Sequence, residues 1–193
     1  MGGTLRMAKH ATRANVRAAI QAAVAASADD DLLVVMTTNH GDAGPPHKLL
    51  LWDPPQTLSA KEFGQDLAGR NSDFYFLGVF CHCFGADMFH EVLQNTASGK
   101  AVVVAASDSA SYSLAPDHAY DAFVYHFVSA ARGQTPQDYP ADSDTNGDGH
   151  VDIQEAFNFA RQMDKTKDHP QIADNGLGGP PRLRTRMTLE GLL

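Results

Sequence analysis

The sequence predicts an α/β domain built on a mostly parallel sheet. Three apolar runs of strand length carry that reading: LLVVMT from Leu32, the run that opens at Asp73 and ends in Cys81, His82 and Cys83, and KAVVVAAS from Lys100. A helix-forming segment precedes each run, and strands that alternate with helices belong to crossover units, which pair in parallel. A stretch rich in Asp, Asn and Gly near Asp144 then leads into one more helix. It is read as an appendage, which divides the chain into a domain over 1–135 and a loop, helix and polar tail over 136–193.

Thr12 is placed to cap a helix over ANVRAAIQAAVAAS, in which Val16, Ile20 and Val24 recur every fourth residue on one face. Ser27 to Asp31 interrupts it, and LLVVMT follows as a fully buried strand, the pattern of a parallel sheet covered on both faces. His40 and Gly41 leave its far end. GDAGPPHK is a loop by composition, and LLLW, Leu49 to Trp52, is a short strand or hairpin arm. Ser59 with Glu62 three residues on forms a capping box for AKEFGQDLAG. The second strand lies inside DFYFLGVFCHCFGADMF, Asp73 to Phe89, central and buried, and ends in a turn before a short helix from Met88 to Leu93. Gly99 turns the chain into the third strand, which gives way to a polar loop from Ser107 to Asp117. The segment from Ala119 to Gly133 reads as a helix with Phe123, Phe127 and Ala130 inward and Gly133 as its stop. QTPQDYPA is linker, and the tail from Asp164 is polar and rich in Gly and Pro.

Composition narrows the functional classes. A net charge of −8 and a pI near 5.5 argue against nucleic acid as a partner, because phosphate binding needs clustered Lys and Arg. No apolar run is long enough to span a bilayer, and the first twenty residues lack the apolar centre of a secretory signal, so neither a membrane nor a compartment is indicated. The two cysteines, Cys81 and Cys83, stand one residue apart and form no disulfide framework.

Two constellations carry chemistry. In an open α/β sheet, the loops beyond the carboxyl ends of the strands line the crevice. His40 and Cys83 leave two successive core strands, and side by side in parallel these strands would bring imidazole and thiol to one crevice. There the imidazole can deprotonate the thiol and later protonate a leaving amine, while Gly41 and Cys83 N–H groups face a tetrahedral oxyanion. Singly, a Cys and a loop His are more often structural than catalytic. Cys81 is a rival nucleophile, and Cys81, His82 and Cys83 with His40 also have the ligand types of a metal site.

The second constellation is Asp144, Asn146, Asp148, Gly149, His150, Asp152 and Glu155, which fit the twelve-residue calcium loop of an EF-hand position by position. Side-chain oxygens of Asp144, Asn146 and Asp148, the His150 carbonyl, Asp152 and a bidentate Glu155 would hold one Ca²⁺. No second hand is present in the sequence, so the loop is read as structural or modulatory.

TTNHGD followed by GVFCHCFGADMF, with SASY at Ser109 to Tyr112, resembles the legumain family of caspase-like cysteine peptidases over residues 11–135. The resemblance implies a caspase-like three-layer sandwich and hydrolysis of peptide bonds in a peptide or protein substrate through an acyl-enzyme. It also implies His40 as base and acid, Cys83 as nucleophile, Gly41 in the oxyanion hole and Ser111 as a substrate contact. Its register puts Cys81 at the family's acidic or polar position. Family members often continue Cys-x-Ser-Gly, where this chain has Gly85 and Ala86. The strands that open such domains are missing before the first helix, so one sheet edge would be open to pairing. The alternative is a catalytically silent calcium-binding or interaction module, or a fragment of a longer peptidase.

Overall fold

A computed structural model describes residues 10–52, 55–108 and 121–176. Helix α1, Arg13–Ala26, begins where the Thr12 hydroxyl accepts the Asn15 N–H at 3.3 Å, and it buries Ile20 and Val24. Strand β1, Leu32–Thr38, follows, then a small antiparallel sheet of β2, Gly41–Asp42, β3, Lys48–Leu50, and β4, Thr57–Ser59. Helix α2, Ala60–Ala68, starts at the capping box of Ser59 and Glu62. Strand β5, Tyr75–Cys81, leads through a 3-10 turn, Gly85–Met88, into α3, Phe89–Gln94. Strand β6, Ala101–Ala105, precedes α4, Ala122–Arg132, and α5, Ile153–Met163, and the last described strand is β7, Gln171–Asp174.

The main sheet runs β1-β5-β6-β7, with β1, β5 and β6 parallel and β7 antiparallel to β6. Alternation along β5 and β6 divides the core into two. Phe76, Phe80, Val103 and Ala105 pack under α1, α2 and α3 with Phe63, Leu67 and Val92. Leu77, Val79, Cys81, Val102 and Val104 pack under α4 and α5 with Phe123, Phe127, Ile153 and Phe157. The result is a three-layer α/β sandwich whose mostly parallel sheet is the one the alternation of runs predicts.

Three expectations change. Strand β1 is not fully buried: most of its residues are half-buried and Met36 is 43% exposed, because among the described residues it has a neighbour on one side only. The polar stretch after Asp164 supplies β7, whose half-buried Ile172 and Ala173 pair with the middle of β6. Within residues 136–176 the chain is also no loose appendage, since Ile153, Ala156, Phe157 and Ala160 of α5 share one core with α4. Among the described residues no helix is long and apolar enough to cross a membrane.

Candidate active site

The parallel register ends with Thr38 beside Cys81, and just beyond it the chain at Gly41, the residue after His40, meets the backbone of Cys83. The contact between these two ends is made by backbone. A Cβ placed on Gly41 would lie 2.0 Å from the Cys83 carbonyl oxygen and 3.1 Å from the Cys83 Cβ, so no residue but glycine fits without moving the turn. His40 is fastened by its neighbours: its carbonyl accepts the Leu50 N–H at 2.9 Å, and its own N–H donates to Asn39 Oδ1 at 2.8 Å. Its imidazole is exposed.

The two thiols differ in surroundings. Cys81 is 1% exposed under α4 and α5, and its thiol is pushed well up by burial first, then by the Asp121 and Asp168 carboxylates. A thiol that resists ionisation is a poor nucleophile. Cys83 is half-buried, beyond the strand end. Between them, His82 turns to the other side of the sheet, where its ring meets Phe80 edge-on and its Nδ1 is hydrogen-bonded to the Thr37 hydroxyl at 3.1 Å. Burial brings its pKa down to about 4 despite the nearby Asp87, so it is neutral at physiological pH. Cys81 and His82 therefore face opposite ways, which removes the metal-site reading of Cys81, His82 and Cys83.

The turn after Cys83 is held from β6. The buried Ser107 hydroxyl donates to the His82 carbonyl at 3.0 Å and accepts the Gly85 N–H at 3.2 Å, and the Ser107 carbonyl accepts the Ala86 N–H at 3.1 Å. The sequence shows Ser107 only as the start of a polar loop. His47, which looks like one more scattered histidine, stacks flat on Phe84 at 4.0 Å, and its Nδ1 meets Asp87 Oδ2 at 2.6 Å. Its one sequence signal is position, seven residues after His40 in a loop too short to wander. Ser111 lies outside the described residues.

Beside the buried thiol stands a group of carboxylates. Asp121 caps α4 by accepting the Val124 N–H at 3.0 Å, and burial raises its pKa to about 7, with Asp168 and Asp164 adding to the rise against that hydrogen bond. Asp108, Arg161, Asp164, Asp168 and His169 line a polar cleft of about 620 Å³ there.

In the loop from Asp144 to Glu155, the carboxylates are satisfied by backbone donors. Gly149 N–H, in a left-handed conformation with φ +85°, donates to Asp144 Oδ2 at 2.9 Å. Asn146 and Asp148 close Asx turns onto the N–H groups of Asp148 at 2.8 Å and His150 at 2.9 Å. Glu155 is 5% exposed, and its Oε1 accepts the N–H groups of Thr145 at 3.0 Å and Asn146 at 3.1 Å, while its Oε2 accepts that of Asp152 at 3.0 Å. Among the described residues, no three His, Cys, Asp or Glu side chains converge tightly enough to hold a metal ion as they stand. The oxygen donors fit a hard cation in type and order, but the side chains would have to exchange backbone N–H groups for it.

No protein-family model matches the sequence, and no curated protein matches it. Among solved structures, a protein from Geobacter sulfurreducens is similar with a TM-score of 0.58 and 15% identity, over 84% of this chain and 73% of that one. Caspase-1 from Spodoptera frugiperda aligns with a TM-score of 0.49 and 14% identity, over 83% of this chain and 66% of that one. At such identity the likeness to the Geobacter protein is one of fold: a mixed α/β sandwich around a mostly parallel sheet.

Proposed function

We propose that this chain is a caspase-like cysteine peptidase, related to the legumain family, that cleaves peptide or protein substrates with Cys83 as nucleophile and His40 as proton shuttle. The observation that carries this reading is the contact of Gly41 with the Cys83 backbone at matched ends of two parallel strands. His40 takes the Cys83 proton, the sulfur attacks the scissile carbonyl, and the oxyanion collapses to break the C–N bond as His40 protonates the leaving amine. Water, deprotonated by His40, then releases the acid and regenerates the thiol. Gly41 and Cys83 N–H groups serve the oxyanion.

The loop from Asp144 to Glu155 is proposed to take one Ca²⁺ through Asp144, Asn146, Asp148, the His150 carbonyl, Asp152 and Glu155. Bound there, the cation would supply charge that holds the loop closed at the start of α5. The edge of β1 that has no neighbour among the described residues is proposed as a surface for pairing with a further strand.

An electrophilic peptide probe tests the peptidase reading. Labelling is expected at Cys83, abolished in Cys83→Ala and retained in Cys81→Ala. A second reading, a silent module of the same fold, is favoured by the exposed His40 ring and by Gly85 and Ala86 in place of the family's Ser-Gly, and absence of labelling in the wild-type protein would select it.

A further inference from the structure

We propose that His47, anchored by Asp87, is a positioning residue that clamps Phe84 in its left-handed backbone conformation and thereby sets where Cys83 stands. The inference rests on Cys83 being the nucleophile. Phe84 follows Cys83 directly and has φ 62° and ψ 29°, a region that an aromatic L-residue adopts only under constraint. Such constraint must come from outside the residue, and two sources meet there.

From the turn after β6, Ser107 fixes the peptide groups before Cys83 and after Phe84, at the His82 carbonyl and the Gly85 N–H. From the loop between β2 and β3, the His47 ring lies on the Phe84 ring, 4.0 Å between centroids and 12° between planes. Its tilt is fixed by Asp87, which stands on the 3-10 turn that the left-handed residue launches and whose N–H donates to the Phe84 carbonyl at 3.1 Å. His47, Phe84 and Asp87 thus close a loop of contacts, from ring to ring, ring to carboxylate and carboxylate back to the backbone. The side chain of His47 is mostly buried and that of Asp87 less so, which keeps this pair sheltered from competing water.

Placement gives the clamp its consequence. His47 ends the short loop that joins β2, which Gly41 opens directly after His40, to β3, whose Leu49 pairs with Gly41. One end of the clamp is therefore the arm that bears the base, and the other is the turn that bears the thiol. If residue 84 relaxes out of the left-handed region, the Cys83 carbonyl that presses on Gly41 must move with it.

The test uses the full chain in a Cys81→Ala background and reads the rate of Cys83 labelling by an electrophilic peptide, alongside the melting temperature. His47→Ala is expected to slow labelling at least tenfold. Two changes should restore it to within about threefold: His47→Phe, which keeps the stack, and Phe84→Gly combined with His47→Ala, because glycine adopts the left-handed region unaided. Phe84→Gly also removes a buried ring, so its melting temperature should fall while labelling persists, a split that a merely structural role would not produce. Unchanged labelling in His47→Ala, or slowing that neither change rescues, overturns the clamp. If the wild-type protein is not labelled at all, the peptidase reading fails, and the clamp is then judged by the backbone HN–Hα coupling of Phe84. Retention of the left-handed value in His47→Ala would overturn it, and its loss would support it.

Discussion

Cys81 and Cys83 are two residues apart and differ in what decides reactivity. The alternation of β5 turns Cys81 into the apolar layer under α4, while Cys83 lies past the last ladder pair and is half exposed. The spacing of the two cysteines is visible in the sequence, but their burial is not, because the face a strand residue takes depends on where pairing ends. His47 was illegible for a related reason: its partners, Phe84 and Asp87, lie about forty residues away and meet it only through the fold. Two titrating groups near the site oppose each other. The depressed pKa of His82 means that its contribution is complete above pH 6.5 and is lost as pH falls toward about 4, on the order of 3 kcal/mol. Asp121 works the other way, its raised pKa giving stability below pH 3.8 that is lost as pH rises through about 7. Wild-type stability should therefore be nearly flat between these limits. Asp121→Asn keeps the cap on Val124 and removes the second effect, so urea unfolding of the variant should show stability climbing between pH 4.5 and 6.5, with a gain of roughly 2 to 4 kcal/mol at pH 7.5. Parallel profiles for the two proteins would rule out a buried, titrating Asp121.

At the scale of elements, the caps of α1 and α2 and the presence of a helix after the Asp144 stretch were legible because each depends on residues within a few positions. Thr12 and the Ser59–Glu62 box form as the sequence suggests, and the structure adds a third cap, the Asp152–Glu155 box, at residues that the sequence shows only as calcium ligands. Strand β7 was not legible, since QIAD has too little apolar character to announce a strand and is held by the edge of β6. The loop before α5 separates two roles that the sequence merges. Glu155 already accepts backbone donors of Thr145, Asn146 and Asp152, so Glu155→Gln should lower the melting temperature with chelator as well as with calcium. Asp148 is exposed and serves only an Asx turn that asparagine can reproduce. Asp148→Asn should melt like wild type in chelator and lose most of the rise that calcium gives wild type. Equal melting of the wild-type protein with calcium and with chelator would remove the cation from the account.

For the molecule as a whole, alternating runs were enough to give the parallel sheet, while the three layers are what the family resemblance implies. What the sequence overstated was the burial of β1, because among the described residues the strand has a neighbour on one side only, which leaves Met36 and its neighbours partly in water. An uncovered strand of this kind favours self-association, and a lysine on it discourages pairing. Sedimentation velocity should show wild-type association rising with concentration and Met36→Lys staying monomeric with a similar melting temperature, whereas a wild-type protein monomeric at every concentration would leave that edge without a partner. The central claim is that His40 and Cys83 act as one unit across the β1–β5 seam. Its most direct measurement is cleavage of a peptide library by the wild type, His40→Ala, Cys83→Ala and the double variant. Each single change should cost on the order of a thousandfold, and the double variant should be no worse than the weaker of the two. Undiminished cleavage by Cys83→Ala, or losses that multiply in the double variant, would contradict it.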